Sequence, residues 1–166
     1  MALKHAKRTE GKVLNDQIKG IKVAMLTTVD RTNNILRSRP MVTQEVEFDG
    51  DLWFFTQVSS SVVAEAENRQ VNISYVSPND NRYVSVSGVA QLVRDRQKIE
   101  ELWKPAHKVW FAGGKDDPDL ALLKVTVTSA EYWDGPANKM VQIFEAAQAF
   151  ITGKPDMGKS EKLQFE

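Results

Sequence analysis

The Asp49-Gly50 pair is the feature of this 166-residue sequence that most constrains its fold, because segments rich in β-branched and aromatic residues lie on both sides of it. Aspartate and glycine tolerate the positive φ angles of a tight turn, so the pair predicts a β-hairpin. The hairpin would join a strand over residues 35–48 to a strand over residues 52–56. Pro40 predicts a break or bulge in the first strand, since proline cannot donate a hydrogen bond to a neighbouring strand.

The rest of the chain alternates between strand-like and helix-like segments. Further strands are predicted over residues 21–29, 71–77, 82–93 (with Gly88 at a bend) and 122–133. Short helices are predicted over residues 4–19, 59–68, 94–103, 107–111 and 138–152, with another starting within 116–119. This order predicts a mainly β domain, a small antiparallel barrel of six strands with helices at its ends. We expect an N-terminal helix in residues 1–20, the barrel in 21–136, and a C-terminal helix and polar tail in 137–166.

Charge and cysteine content exclude several classes of function. The 22 Lys and Arg residues balance 22 Asp and Glu residues, so the chain lacks the positive charge that nucleic acids and membrane surfaces require. It has no cysteine, which excludes disulfides, thiolate catalysis and iron–sulfur ligation. No apolar run approaches the ~18–20 residues that span a bilayer, and no signal-peptide core is evident. We therefore expect a cytoplasmic protein that binds neither nucleic acid nor membrane.

The side-chain groupings typical of many enzymes are missing. The two histidines, His5 and His107, are far apart, so no metal site is expected and His107 is interpreted as a packing residue at the edge of a core. The acidic residues at 116–119 lack the ligand spacing of a calcium loop and favour a capped loop. No catalytic residue can be named, and demanding chemistry would have to come from a cofactor.

Arg37 and Arg39 alternate along the second predicted strand, which places both guanidinium groups on one face. Side by side they repel each other unless an anion or carboxylates lie between them. Two explanations remain open from the sequence. The arginines bind a ligand anion, or they lie on a solvated strand face and pair with Glu45, Glu47 or other acids.

Three consecutive hydroxyl residues, Ser59, Ser60 and Ser61, precede a predicted helix. Hydroxyls and unpaired backbone N–H groups at a helix start suit a phosphate. One serine would suffice for simple N-capping, which remains the alternative. The four tryptophans favour core or interface packing over contact with a planar ligand.

Several segments, taken in order, carry a resemblance to a known family. They are Met25-Leu26-Thr27-Thr28-Val29-Asp30, Arg37-Ser38-Arg39-Pro40-Met41, Leu52-Trp53-Phe54-Phe55-Thr56, Ser60 with the acidic helix to Asn68, Trp110-Phe111, and Ala130-Glu131-Tyr132-Trp133. In this order and spacing they resemble the pyridoxamine 5′-phosphate oxidase-like flavin-binding split barrels, and among these the bacterial general stress protein 26 group. The resemblance covers the chain from about residue 18 to its C-terminus.

The resemblance implies a six-stranded antiparallel split barrel of the FMN-binding type, a homodimer with FMN between its protomers. It also implies site residues. Arg37, Ser38, Arg39 and Met41 would lie beside the flavin ring and ribityl chain, Phe55 and Thr56 would approach them, Ser60 and Ser61 would bind the phosphate, and Trp110 and Trp133 would reach FMN from the partner. The implied function is a stress-associated flavoprotein, an FMN-dependent oxidoreductase whose substrate the sequence does not name.

Two departures from the family pattern affect these expectations. Val62 lies where a lysine commonly contacts the phosphate, so FMN binds weakly or the arginines and serines compensate. After Trp133 the chain lacks the Arg and His that hold pyridoxal phosphate in the true oxidases, so we expect no pyridoxamine phosphate oxidase activity. Two alternatives remain: a flavin-less barrel that binds another ligand or a partner protein, and a barrel that takes a deazaflavin or haem.

Overall fold

The structure is a computed structural model that describes residues 2–46, 48–134 and 161–164. Its strands are β1 (Val23–Val29), β2 (Leu36–Val42), β3 (Asp51–Gln57), β4 (Arg69–Ser77), β5 (Arg82–Val93), β6 (Leu120–Asp134) and β7 (Glu161–Gln164). Its helices are α1 (Ala2–Ile18), α2 (Ser61–Ala66) and α3 (Arg96–Leu102), with short 3-10 helices at Pro78–Asp80 and Pro105–Val109. No helix in these ranges is long and apolar enough to cross a membrane.

The strands form one antiparallel sheet in the order β2-β1-β4-β5-β6-β3. A bridge between Thr43 and Phe54 brings the chain just after β2 against β3. The two outer strands therefore meet, and the sheet curls into a partly closed barrel. The six-stranded antiparallel barrel predicted from the sequence is confirmed.

A seventh strand, β7, pairs with the second half of β6 at residues 129–132. The sequence predicted only a polar tail in this region. Four residues of mixed polarity are too short to show an alternating pattern, although Leu163 packs against the core. The helix predicted over residues 138–152 lies outside the described residues.

β2 runs through Pro40 without interruption. Pro40 pairs with Met25 in an unshifted register, so the predicted break or bulge is wrong. β2 is an outer strand whose ladder partner along its whole length is β1, and there a proline can direct its missing N–H away from the ladder. The strand ends at Val42, which is earlier than the predicted end at residue 48. The hairpin predicted at Asp49-Gly50 is wrong, because β2 pairs with β1 and β3 pairs with β6, so residues 49–50 lie in a loop between strands that share no ladder.

The helix start predicted within residues 116–119 is also wrong, because these residues form a turn that leads into β6. The Asp117 side chain accepts the N–H of Asp119 at 2.9 Å. Asp119 in turn accepts the N–H and the hydroxyl of Ser59, at 3.0 and 2.6 Å. The acids of this stretch therefore cap a loop, which was the interpretation favoured over a cation site.

The main core lies inside the barrel. It contains inward-facing residues of the strands, such as Leu26, Phe54 and Ile73, and Leu14 from α1. A second core lies under α3, where Ile99 and Leu102 pack against residues of β3 and β6. Burying these side chains is the main source of stability.

Gly88 lies where the pairing of β5 with β6 changes register. Ser87 pairs with Ser129 and Gly88 with Val127, so the extra residue of this irregularity is Thr128 on β6. A Cβ atom at Gly88 would lie 2.4 Å from the carbonyl oxygen of Thr126 and 2.7 Å from a methyl of Val125. The backbone oxygen cannot move away from the added Cβ atom as the end of a flexible side chain could.

Gly88→Ala is therefore expected to lower the free energy of unfolding by about 1–3 kcal/mol, the usual cost of overpacking. Urea denaturation measures the change. Gly11→Ala is the matched control, since the added Cβ would meet only the Phe48 ring at an ordinary 3.5 Å. The control should be neutral or stabilising, because alanine favours a helix interior. Equal effects of both substitutions would contradict the role given to Gly88.

Candidate functional site

An open cavity of about 610 Å³ lies where the β1–β2 hairpin faces α2, at one end of the barrel. The strands and turn of the hairpin supply four of its lining residues, and α2 supplies two. The lining residues are Asp30, Arg37, Ser38, Arg39, Ser61 and Glu65. The cavity thus combines two guanidinium groups, two carboxylates and the Ser61 side chain, while the Ser38 hydroxyl, opposite Thr27, lies on the other face of β2.

The inner face of β2 changes from apolar to charged towards this end of the barrel. Met41, opposite Ala24, packs against the core. Arg39 lies opposite the buried Leu26, and Arg37 lies opposite Thr28 near the turn. The expectation that both arginines share one strand face therefore agrees with the register.

Arg37 pairs with Asp30, which lies at the start of the hairpin turn. Its Nη2 and Nε atoms lie 2.9 and 3.0 Å from Oδ2 of Asp30. The other carboxylate oxygen accepts the backbone N–H of Thr32 at 2.8 Å. That backbone hydrogen bond, followed by the contacts with the Thr32 side chain and Arg37, lowers the pKa of Asp30. The Arg37 side chain is 53% exposed, so the pair is largely hydrated.

Arg39 pairs with Glu65 of α2 in a less exposed position. Its Nη2 contacts Oε2 of Glu65 and donates to the Thr28 hydroxyl at 3.1 Å. The same hydroxyl donates to Oε2 of Glu65 at 2.6 Å. These hydrogen bonds, first that from Thr28 and then that from Arg39, lower the pKa of Glu65. A partly buried ion pair thus joins the hairpin to α2.

One donor of Arg39 is left over. Its Nη1 atom is buried and has no hydrogen-bond partner among the described residues. A buried guanidinium donor without an acceptor is energetically unfavourable, and a ligand oxygen would relieve the cost. The structure therefore favours the second explanation left open from the sequence, because carboxylates hold both arginines, although these are Asp30 and Glu65.

The three serines have different environments. Ser59 is bound to Asp119, as described above, and Ser60 caps α2 by accepting the N–H of Val62 at 3.3 Å. The Ser61 hydroxyl lines the cavity, and within the described part of the chain it makes no hydrogen bond. N-capping therefore accounts for Ser60, and Ser61 is the serine available to a ligand.

Three further residues implied by the resemblance differ in whether they line the cavity: Val62, Met41 and Ser38. Val62 is only 3% exposed and belongs to the main core, so its side chain does not line the cavity. Met41 is half-buried against the same core. Ser38 lines the cavity and shares a 2.7 Å hydrogen bond with Thr27 across the hairpin.

The remaining residues implied by the resemblance do not line this cavity. Phe55 and Thr56 are buried in β3. Phe55 packs edge-to-face against Trp103 and at a tilt against His107, at centroid distances of 5.5 and 4.6 Å. Trp110 is 70% exposed, and Trp133 is 36% exposed near the end of β6. Within this chain, the two tryptophans therefore do not line the cavity with the arginines.

His107 is a packing residue of the second core. Its Nδ1 accepts the backbone N–H of Lys104 at 2.9 Å. Burial, together with the nearby Lys104 charge, lowers the pKa of His107, so the neutral imidazole is favoured. No group of three metal-ligating side chains occurs in the described part of the chain.

Sequence reasoning missed Thr28, Asp30 and Glu65 as site residues. A signal for Thr28 was present, because a hairpin over residues 23–42 places it opposite Arg37 on the arginine face. Glu65 lies 26 residues from Arg39 in the chain, and no local pattern indicates that contact.

The chain is similar in sequence to known proteins. Residues 9–156 match the model of the family described as pyridoxamine 5′-phosphate oxidase like. Protein bli-3 of Neurospora crassa is 32% identical over 144 residues, which cover 81% of this chain and 69% of that protein.

Solved structures are similar over most of the chain. A general stress FMN/FAD binding protein of Xanthomonas citri is 29% identical with a TM-score of 0.66, covering 78% of this chain and 91% of that one. General stress protein 26 of Bacillus anthracis shares the fold at 24% identity and a TM-score of 0.64, covering 74% and 92%. The resemblance and the split-barrel fold predicted from the sequence are confirmed.

The substitution Glu65→Gln tests the partly buried Thr28–Glu65–Arg39 network through the pH dependence of the free energy of unfolding. Because the pKa of Glu65 is lowered in the folded state, the carboxylate stabilises the fold above its unfolded pKa, near 4.5. That stabilisation is lost as the pH falls through the folded pKa. We expect the variant to be less stable than wild type by about 1–2 kcal/mol near neutral pH, with the difference vanishing in acid. Urea denaturation across this pH range is the measurement, and a difference that does not change with pH would contradict the assignment.

Proposed function

We propose that this chain, which belongs to the pyridoxamine 5′-phosphate oxidase-like family, is a flavoprotein that binds FMN with its phosphate at the Arg37–Arg39 cavity. The observation that carries the proposal is the cavity itself, which brings the side chains of Arg37, Arg39 and Ser61 together at the start of α2. The similar protein of Xanthomonas citri is named as an FMN/FAD binding protein, which supports a flavin as the ligand.

The cavity residues suit a phosphate group. Guanidinium groups and hydroxyls donate hydrogen bonds to phosphate oxygens, and Arg37, Arg39 and Ser61 all line the cavity. Arg37 is half-exposed, so its side chain can turn towards a ligand at little cost. Ser38 would contact the adjoining ribityl chain from the same strand.

The other residues that the resemblance implies have supporting roles in this proposal. Ser60 positions Ser61 by capping α2, and Val62 anchors that helix in the core. Phe55 and Thr56 hold the end of β3, and Met41 supports β2 under the arginines. Trp110 and Trp133, both exposed, would reach the flavin bound by the partner protomer.

Bound FMN would supply acceptance and donation of a hydride or of single electrons. The residues of the chain would bind the phosphate, orient the flavin and shield it from water. We propose an oxidoreductase of unnamed substrate. Pyridoxamine phosphate oxidase activity is not proposed, because the sequence after Trp133 lacks the Arg and His that would hold that substrate.

We propose a homodimer that forms through the outer face of β1 and β2. Val23 and Met25 of β1 and Leu36 and Val42 of β2 are all exposed. The strand register places them on one face, where Val23 pairs with Val42. Contiguous exposed apolar side chains of this kind favour association of two copies.

A flavin-less barrel is the second candidate, and two observations favour it. Both arginines already have carboxylate partners, and Val62 replaces the usual lysine. The substitution Val62→Lys is a poor test of this alternative, because position 62 is in the core and a buried ammonium would destabilise the fold. Direct flavin titration separates the candidates.

Purified wild-type protein is expected to quench FMN fluorescence, and Arg39→Gln should weaken FMN binding by about tenfold or more, since a charge-assisted contact is lost. Riboflavin affinity should change much less. Arg69→Gln, an exposed arginine of β4, is the matched control. If the wild-type protein binds neither FMN nor FAD, the proposal is wrong and the flavin-less barrel is favoured.

The dimer predicts that Met25→Glu yields a monomer, because the new charges would be buried between two protomers. Light scattering at micromolar concentration measures the mass. Gln91→Glu, at an exposed position of β5, should leave the mass unchanged. A wild-type protein that is already monomeric would argue against a flavin cleft between protomers.

A further inference from the structure

Each arginine of the cavity is held by a carboxylate of the same chain. We propose that Glu65, assisted by Asp30, is a specificity-determining residue that competes with the ligand phosphate for the arginines and so reduces the preference for phosphorylated over unphosphorylated flavin. The inference rests on the proposed flavin binding and concerns how the site recognises the charge of its ligand.

The geometry of Glu65 makes it a direct competitor. Its Oε2 receives Nη2 of Arg39 and the hydroxyl of Thr28. Both edges of a guanidinium group that form two parallel hydrogen bonds include Nη2, so a phosphate cannot bind Arg39 in this way while Glu65 and Thr28 hold that atom.

The charge of the cavity, like the geometry of Glu65, weakens the binding of a phosphate. The two guanidinium groups and two carboxylates of the cavity cancel, so a phosphate would enter a site with no net positive charge. The Glu65 and Arg39 side chains are only 12% and 21% exposed, so solvent screens the repulsion between Glu65 and a phosphate weakly. Hydrogen bonds lower the pKa of Glu65 and keep it ionised at neutral pH.

Asp30 should have a smaller effect than Glu65. It pairs with Arg37, whose side chain is 53% exposed, and solvent screens such a pair. A phosphate can also approach the outer side of Arg37 without displacing Asp30. The structure therefore ranks the two acids, and the ranking is itself testable.

The test compares the dissociation constants of FMN and riboflavin for three variants. Glu65→Gln should strengthen FMN binding by about tenfold, and Asp30→Asn by about threefold, as one opposing charge is removed in each. Riboflavin binding should change by less than about twofold, because riboflavin has no phosphate. Glu67→Gln, at an exposed position just after α2, makes the same change of charge and should leave the FMN-to-riboflavin ratio unaltered.

Asp30→Asn keeps the test decisive if Glu65→Gln folds poorly, since asparagine can still accept the N–H of Thr32. Equal FMN-to-riboflavin ratios in wild type and both site variants would overturn this inference alone. So would an equal gain in ratio from Glu67→Gln, which would indicate a general effect of net charge. Failure of every protein to bind either flavin would overturn the proposed function, and the inference with it.

Discussion

The register of the β1–β2 hairpin is the constraint on which the candidate site depends. Side chains alternate along a strand, so a shift of one residue would move the arginines of β2 to the outer face of the barrel. The turn sets this register through Asp30, whose backbone N–H donates to Ile35 at 2.8 Å and whose side chain accepts Thr32. Asn34 completes the turn with a φ of 57°. The same aspartate then pairs with Arg37, so the residue that sets the register also occupies the site.

The Thr28–Glu65–Arg39 network joins this hairpin to α2, and the join has two consequences. It orients Arg39 without any ligand, which lowers the entropy that a ligand would otherwise have to overcome. It also commits one guanidinium edge to Glu65, which limits what a phosphate can gain. The arginine side chains of the site are therefore held in place before a ligand binds, and the site has no net charge. Val62, an uncharged residue buried in the core, adds no positive charge to the start of α2.

Local chemistry explains which parts of the fold the sequence predicted. β5 was predicted at Arg82–Val93 and is observed there, because a turn ending in Asn81 precedes it and alternating side chains run along it. Gly88 was singled out because it lacks a side chain, and the register of β5 with β6 does change at this residue. Pro40 was misjudged because its effect depends on whether the strand is central or outer, which is a property of the sheet and not of the local sequence.

The site was predicted in outline only, for a related reason. Alternation placed Arg37 and Arg39 on one face, but the choice of their partners depends on contacts across the fold. Glu45 was named from the sequence as a partner, yet the structure has it 4.0 Å from Lys104 instead. Hydrogen bonding also separated three equivalent serines into a loop ligand of Asp119, a helix cap and a free hydroxyl. The residue types indicate that the site can bind an anion. The carboxylates that the fold brings to the arginines decide how much of that binding capacity remains for a ligand.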